Sequence, residues 1–198
     1  MSKEQSRLDG DDIEGLIAFL SEAGRLKDTL RSAHTENGRK ESTAEHSWRL
    51  ALMALVILPN FPELDAQKVL TMALIHDLGE AISGDVPAPL QHPADNREVR
   101  ERRDLETILA PLGASLKDAF MSLWDDYAGV RTAEAKLVKA LDKLETILQH
   151  VQGQNPPDFN YEYNMTYGTQ ATDALPTTKA IRTVLDQATG KRLRAPEA

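Results

Sequence analysis

The chain has 198 residues, no cysteine and a formal net charge of −8. That length suits a single domain able to bury roughly 70% of its unfolded surface, and the missing thiols exclude disulfides, thiolate nucleophiles and sulfur-ligated zinc, so any metal must be held by nitrogen and oxygen. The acidic balance opposes non-specific attraction to nucleic acid or anionic lipid. MSKEQSRLDGDD has no apolar leader and no segment approaches the roughly 20 apolar residues of a membrane span, so a soluble, cytoplasmic protein is expected.

Helical periodicity runs almost throughout, and no alternating β-branched run makes a convincing strand, so an all-α helical bundle is expected. Apolar residues from Ile13 to Leu20 predict a first helix reaching about Gly24, after which the chain turns basic and irregular through RLKDTLRSAHTENGRK. Ser42 and Glu45 form the S-x-x-E capping box of a helix that continues through LALMALVIL and stops at Pro59. Asp65 caps the next predicted helix, DAQKVLTMALIHDLGEAI, which ends near Ser83-Gly84-Asp85. Two amphipathic scaffold helices follow, at about 95–110 and 115–127, divided by Pro111 and Gly113. From Thr132, AEAKLVKALDKLETILQHVQ sets Leu137, Leu141, Leu144 and Leu148 at offsets of four, three and four, a strong core stripe. Residues 153–178 break the pattern with Gly153, Pro156, Pro157 and Pro176, yet carry Phe159, Tyr161, Tyr163 and Tyr167. A loop so long and aromatic is expected to be functional or packed over a surface. A short helix at about 178–188 ending at Gly190, and a mobile tail KRLRAPEA, close the expected architecture.

The ionisable residues concentrate in ALIHDLGEAISGDVP, which places His76, Asp77, Glu80 and Asp85 at the end of a very apolar helix. His76 lies one turn before Glu80 on the same face, and Asp77 is displaced by about 100° around the axis. Taken singly, an inward histidine reads as a hydrogen-bonded core residue, and Asp142 as a solvated one. Together, His46, His76-Asp77 and Asp142 each sit on a predicted helix beside an apolar stripe. Burying two carboxylates without a counter-charge is costly, and a divalent cation supplies that charge.

These residues carry a resemblance. The order H…HDxxE…GD…D, with the surrounding stretches TAEHSWRLALMA, ALIHDLGEAISGDVP and AKLVKALDKLETIL, is similar to the HD-domain metal-dependent phosphohydrolases, in the branch of bacterial 5′-deoxynucleotidases and small eukaryotic HD-domain proteins. The similarity covers about residues 13–152. It implies an HD-domain fold with His46, His76, Asp77 and Asp142 as ligands of one divalent metal ion. Two imidazoles and two carboxylates suit Mn, Co, Ni, Fe or Zn better than calcium, and the set does not choose among them or exclude Mg. Glu80 matches the family's catalytic glutamate, and Asp85 a second carboxylate near the sugar and leaving group; a plain turn aspartate after Gly84 is its ordinary alternative. Arg31 matches the arginine of an Arg-Trp nucleotide-recognition pair, while Ser32 stands where the tryptophan belongs, so a deoxy-versus-ribo preference does not transfer. Arg31 and Arg39 are the phosphate-binding candidates. The resemblance also implies a homodimer.

The reaction implied is hydrolysis of nucleoside 5′-monophosphates. A cyclic nucleotide or guanosine polyphosphate substrate, and an idle interaction protein with a structural metal, are the alternatives. An HD-type di-iron oxygenase ranks last for want of additional inward histidines. Trp48 is expected in the core rather than as a stacking platform, and His34, His92 and His150 at the surface or incidental.

Overall fold

The computed structural model describes residues 10–90, 92 and 96–194. The polar N-terminal stretch, the start of the expected 95–110 helix and the last four residues of the tail lie outside them. The fold is helical, as expected. Helix α1 (Gly10–Ala23) leads through a short 3₁₀ turn to strands β1 (Leu30–His34) and β2 (Lys40–Ser42). Then come α2 (Thr43–Ile57), α3 (Ala66–Ile75), α4 (Glu80–Ser83), α5 (Arg97–Leu109), α6 (Ala114–Gly129), α7 (Ala133–Gln152), α8 (Thr169–Thr172) and α9 (Pro176–Arg194). No helix among the described residues is long and apolar enough to cross a membrane.

The caps act as their sequences predict. The Ser42 side chain accepts from Glu45 N at 3.2 Å while the Glu45 carboxylate accepts from Ser42 N at 2.9 Å. Asp65 accepts from the backbone of Gln67 and Lys68, and Thr132 from Ala135. Helix α7 is the central pillar: Leu137, Leu141, Leu144 and Ile147 are fully buried against Leu50 and Ala54 of α2 and Val69 and Met72 of α3. A second cluster joins Leu26, Leu78, Leu105, Ile108, Leu109 and Trp124.

Four expectations need correction. The basic segment read as irregular folds into an antiparallel hairpin, Leu30 opposite Ser42 and His34 opposite Lys40, closed by Thr35 N donating to Arg39 O at 2.7 Å. Its strands are too short and polar to show alternation, and the support is tertiary: Ala33 is buried and the Gln149 side chain of α7 donates to His34 O. The single helix expected from Asp65 to Ile82 breaks after Ile75 into tight turns, Leu78 N to Ile75 O at 3.1 Å and Glu80 N to Asp77 O at 3.0 Å, before α4 resumes. Gly79 allows this, since a Cβ there would lie 2.7 Å from Glu101 O of α5, and Gly84, at φ +80°, stops α4. Helix α9 runs through Gly190 to Arg194, because buried Arg182, Leu185 and Thr189 outweigh the roughly 1 kcal/mol helix cost of glycine. Trp48 is 62% exposed rather than in the core. The inward stripe of α2 is His46, Leu50, Ala54 and Ile57, and Trp48 lies about 200° around the helix from His46.

Candidate active site

Three mutually packed helices deliver the ionisable residues to one place. His46 comes from the first turn of α2, His76 and Asp77 from the turn that ends α3, and Asp142 from the middle of α7. One ligand atom each from His46, His76 and Asp77 lies within 4.8 Å of the others. His76 Nε2 is 3.0 Å and His46 Nε2 3.8 Å from Asp77 Oδ2, and Asp142 Oδ1 is 3.4 Å from His46 Nε2. Neither imidazole Nε2 has a hydrogen-bond partner of adequate geometry, although both are buried. Buried polar atoms are normally satisfied, so two orphan nitrogens facing two carboxylates are a donor set that suits a divalent cation.

The far side of each ring is held in place. His46 Nδ1 is bonded to buried Glu145, whose other oxygen accepts from Arg49 Nε and lies 2.6 Å from Arg49 Nη2. His76 Nδ1 faces Ala73 O at 3.0 Å, and Trp124 Nε1 donates to His76 O at 2.9 Å. Such contacts fix the tautomer that leaves Nε2 free for a metal. Asp142 Oδ2 accepts from Tyr127 Oη and Lys143 Nζ, both at 2.9 Å. Burial and Arg31 push the His46 pKa down, but Glu145 and Asp142 outweigh them and carry it up to about 10.

Glu41, His46 and Glu145 form a second cluster close enough to hold an ion. Its charge is already met, because Glu145 pairs with Arg49 and His46, and Glu41 lies 3.5 Å from Arg31 Nε and 3.9 Å from Arg49 Nη2. We read it as the support behind the first cluster. Burial, then the Glu145 charge, raise the Glu41 pKa to about 7.

A cavity of about 780 Å³ opens over the His-Asp cluster, within the range of small-molecule sites. Glu80 and Asp85 both line it. Glu80 is 3% exposed, accepts from Thr43 Oγ1 at 3.1 Å and has Arg97 3.8 Å away. Burial, with the charges of Asp77 and Asp85, raises its pKa to about 9, and burial raises that of Asp85 too. Arg31 reaches in from β1, 3.3 Å from both Asp77 Oδ2 and Thr146 Oγ1.

The structure does not bring Arg39 here: it is exposed, pairs with Glu45 and does not line the cavity. His34 is half-buried on β1 and His92 exposed, whereas His150, expected at the surface, is 8% exposed and bonded to Asn164. Sequence reasoning missed Glu145, Arg49, Arg97 and Tyr127. Of these only Glu145 left a signal, as a charged residue beside Leu144 in the most apolar stripe of the chain.

Residues 23–182 match the model of the HD domain family. The human 5′-deoxynucleotidase HDDC2 is 33% identical over 75% of this chain and 72% of its own length. The 5′-deoxynucleotidase hdd1 of Schizosaccharomyces pombe is 32% identical over 79% and 80%. Among solved structures, a predicted metal-dependent phosphohydrolase of Magnetospirillum magnetotacticum superposes with a TM-score of 0.72 at 24% identity, over 93% of this chain and 96% of that one. An HD-domain phosphohydrolase of Listeria innocua gives 0.68 at 16%, over 91% and 90%. At these identities the structural likeness speaks for the fold. A helical scaffold with a buried His-Asp cluster beneath a deep cavity defines the class, and the chain belongs to the HD domain family.

Proposed function

We propose that the protein is a metal-dependent 5′-nucleotidase that hydrolyses nucleoside or deoxynucleoside 5′-monophosphates to nucleoside and phosphate. The observation that carries this reading is the pair of orphan imidazole nitrogens facing Asp77 and Asp142, beneath the cavity that His76, Asp77 and Asp142 line. Relatives named 5′-deoxynucleotidase, at 32–33% identity over most of both chains, support the substrate class.

In this reading His46, His76, Asp77 and Asp142 hold one divalent ion. When bound, such an ion stabilises charge on the phosphoryl oxygens and lowers the pKa of a nearby water. The chain's own residues do the rest. Arg31 offers its guanidinium to the phosphate from the cavity wall. Glu80, buried at the cavity wall, takes the proton of the attacking water and returns a proton to the departing 5′-oxygen. One P–O bond forms to water, the P–O5′ bond breaks, and the proton ends on the nucleoside. Asp85 accepts from a sugar hydroxyl. Arg39 is left out, since its partner is Glu45.

Phosphate release from a panel of NMPs, dNMPs, cyclic nucleotides and guanosine polyphosphates, with Mn, Co or Mg, tests the reading. It expects the 5′-monophosphates to be turned over best; a preference for a cyclic or polyphosphate substrate would reassign the same cage. The dimer is also proposed, supported by the exposed apolar stripe of Trp48, Leu52 and Leu55 on α2. Light scattering expects twice 21.9 kDa.

A further inference from the structure

The cavity has two chemically different ends. Asp142, Thr146 and His150 recur every fourth residue on α7 and all line it, so His150 lies about 12 Å along the helix from Asp142. At the Asp142 end the groups are charged. Toward His150 the lining turns aromatic, with Phe159 against the His150 ring and Tyr163 following it on the segment between α7 and α8, whereas Tyr167 stands beside Lys143, 5.2 Å from its Nζ, nearer Asp142. Phe159 meets the His150 ring edge-on, at 4.8 Å and 73°, and Tyr161 leans on it at 4.9 Å. Tyr163 packs against Tyr167 at 5.3 Å. On this stretch of lining β1 contributes only Ser32 and Ala33, with no ring.

This wall is rigidly built. Arg182 of α9, 3% exposed, donates to Asn164 O and Tyr167 O, each at 2.6 Å. Asn155 donates to His150 O at 2.7 Å and to Tyr161 Oη at 2.9 Å. Arg192 donates to Val151 O and Gly153 O at 2.8 and 2.9 Å. The backbone is thus tied down from behind while Phe159 and Tyr163 stay half-buried, with surface left toward the cavity. Burial holds the His150 pKa below its ordinary value, which keeps its ring uncharged beside Phe159. Ordered aromatic rings with surface left toward the cavity suit a flat π system.

We propose that Phe159 and Tyr163 form a stacking wall that holds the nucleobase of the substrate, with the phosphate at the His-Asp floor. This inference rests on the 5′-nucleotidase reading. The roughly 12 Å from Asp142 to His150 leaves room for a nucleoside 5′-monophosphate lying along α7. Stacking accepts any base, because every base has a π face, so the wall gives affinity for nucleotides over sugar phosphates with little choice among bases.

The test is calorimetric binding of two non-hydrolysable probes to the full-length, Mn-loaded chain: a nucleoside 5′-phosphonate and the same sugar phosphonate without a base. With one stacking ring lost, Phe159→Leu should weaken the nucleoside probe about tenfold and leave the base-free probe unchanged. Phe159→Trp should restore binding, and Tyr163→Leu should reproduce the selective loss in an independent variant. Equal affinity of the two probes for the wild type, or equal weakening of both in the variants, overturns the wall. Phosphate release on the same preparations separates the two ideas. Base-dependent binding without turnover of any monophosphate supports the wall and sinks the hydrolase; turnover with base-independent binding sinks the wall alone.

Discussion

His46 and His150 are both buried and both line up with partners through Nδ1, yet their surroundings drive them in opposite directions. His46 is bonded to a carboxylate, Glu145, faces two more, and is pushed up to about 10. His150 is bonded to an amide, Asn164, among aromatic rings, and burial pushes it down. Burial alone would discharge either ring; the carboxylates decide the case for His46. One end of the cavity therefore gathers carboxylates and the other gathers aromatic rings. A phosphate ester with an aromatic group at its far end matches that polarity.

Four substitutions probe this contrast and a fifth lies outside it. The largest effect is expected from His76→Ala, which removes an orphan Nε2: metal-dependent turnover should fall on the order of a thousandfold, because Lewis-acid stabilisation is worth several kcal/mol. Glu80→Gln should cut turnover on the order of a hundredfold or more while bound metal, read by elemental analysis, stays unchanged. A loss of metal in that variant would make Glu80 a ligand rather than a proton carrier. Glu145→Ala should weaken metal binding by about 10–100-fold through the His46 ring it orients, and a titration with Mn measures it.

At the other end, Arg182→Met removes donors to Asn164 O and Tyr167 O and should cost about 2 kcal/mol of stability in urea denaturation, with little change in metal affinity. A matched loss of metal would mean the two ends are not separable. The smallest effect concerns Glu45, held at about 2 by its hydrogen bond with Arg39 and its place in the capping box. A depressed carboxylate contributes stability above its unfolded pKa, near 4.5, and loses it as pH falls toward 2. The melting temperature of Glu45→Gln should therefore lie below wild type at pH 7 and converge with it across that window, while the His-Asp cluster, whose groups are not in contact with Arg39, contributes nothing to the difference.

Most of the helical frame was legible because its signals are local. The Ser42–Glu45 box, the Asp65 and Thr132 caps and the α7 leucines each state a helix within a few residues. The His-Asp set was legible because its spacing and resemblance are both specific, and the structure brings His46, His76, Asp77 and Asp142 together. What escaped depends on contacts between distant segments. The hairpin needs Gln149 and the packing of Ala33; the break after Ile75 needs α5 pressing on Gly79; Trp48 points outward because the stripe that includes His46 claims the inside. Arg97 and Tyr127 lie on helices that looked like plain scaffold, and their roles appear only when Glu80 and Asp142 are seen beside them.

The most direct test compares wild type with Asp77→Asn, a nearly isosteric change, measuring bound Mn and phosphate release from deoxynucleoside 5′-monophosphates on the same samples. One Mn per chain with turnover in the wild type, and loss of both in the variant, is the result expected. Hydrolysis that persists in Asp77→Asn, or that proceeds in wild type stripped of metal, would contradict the account.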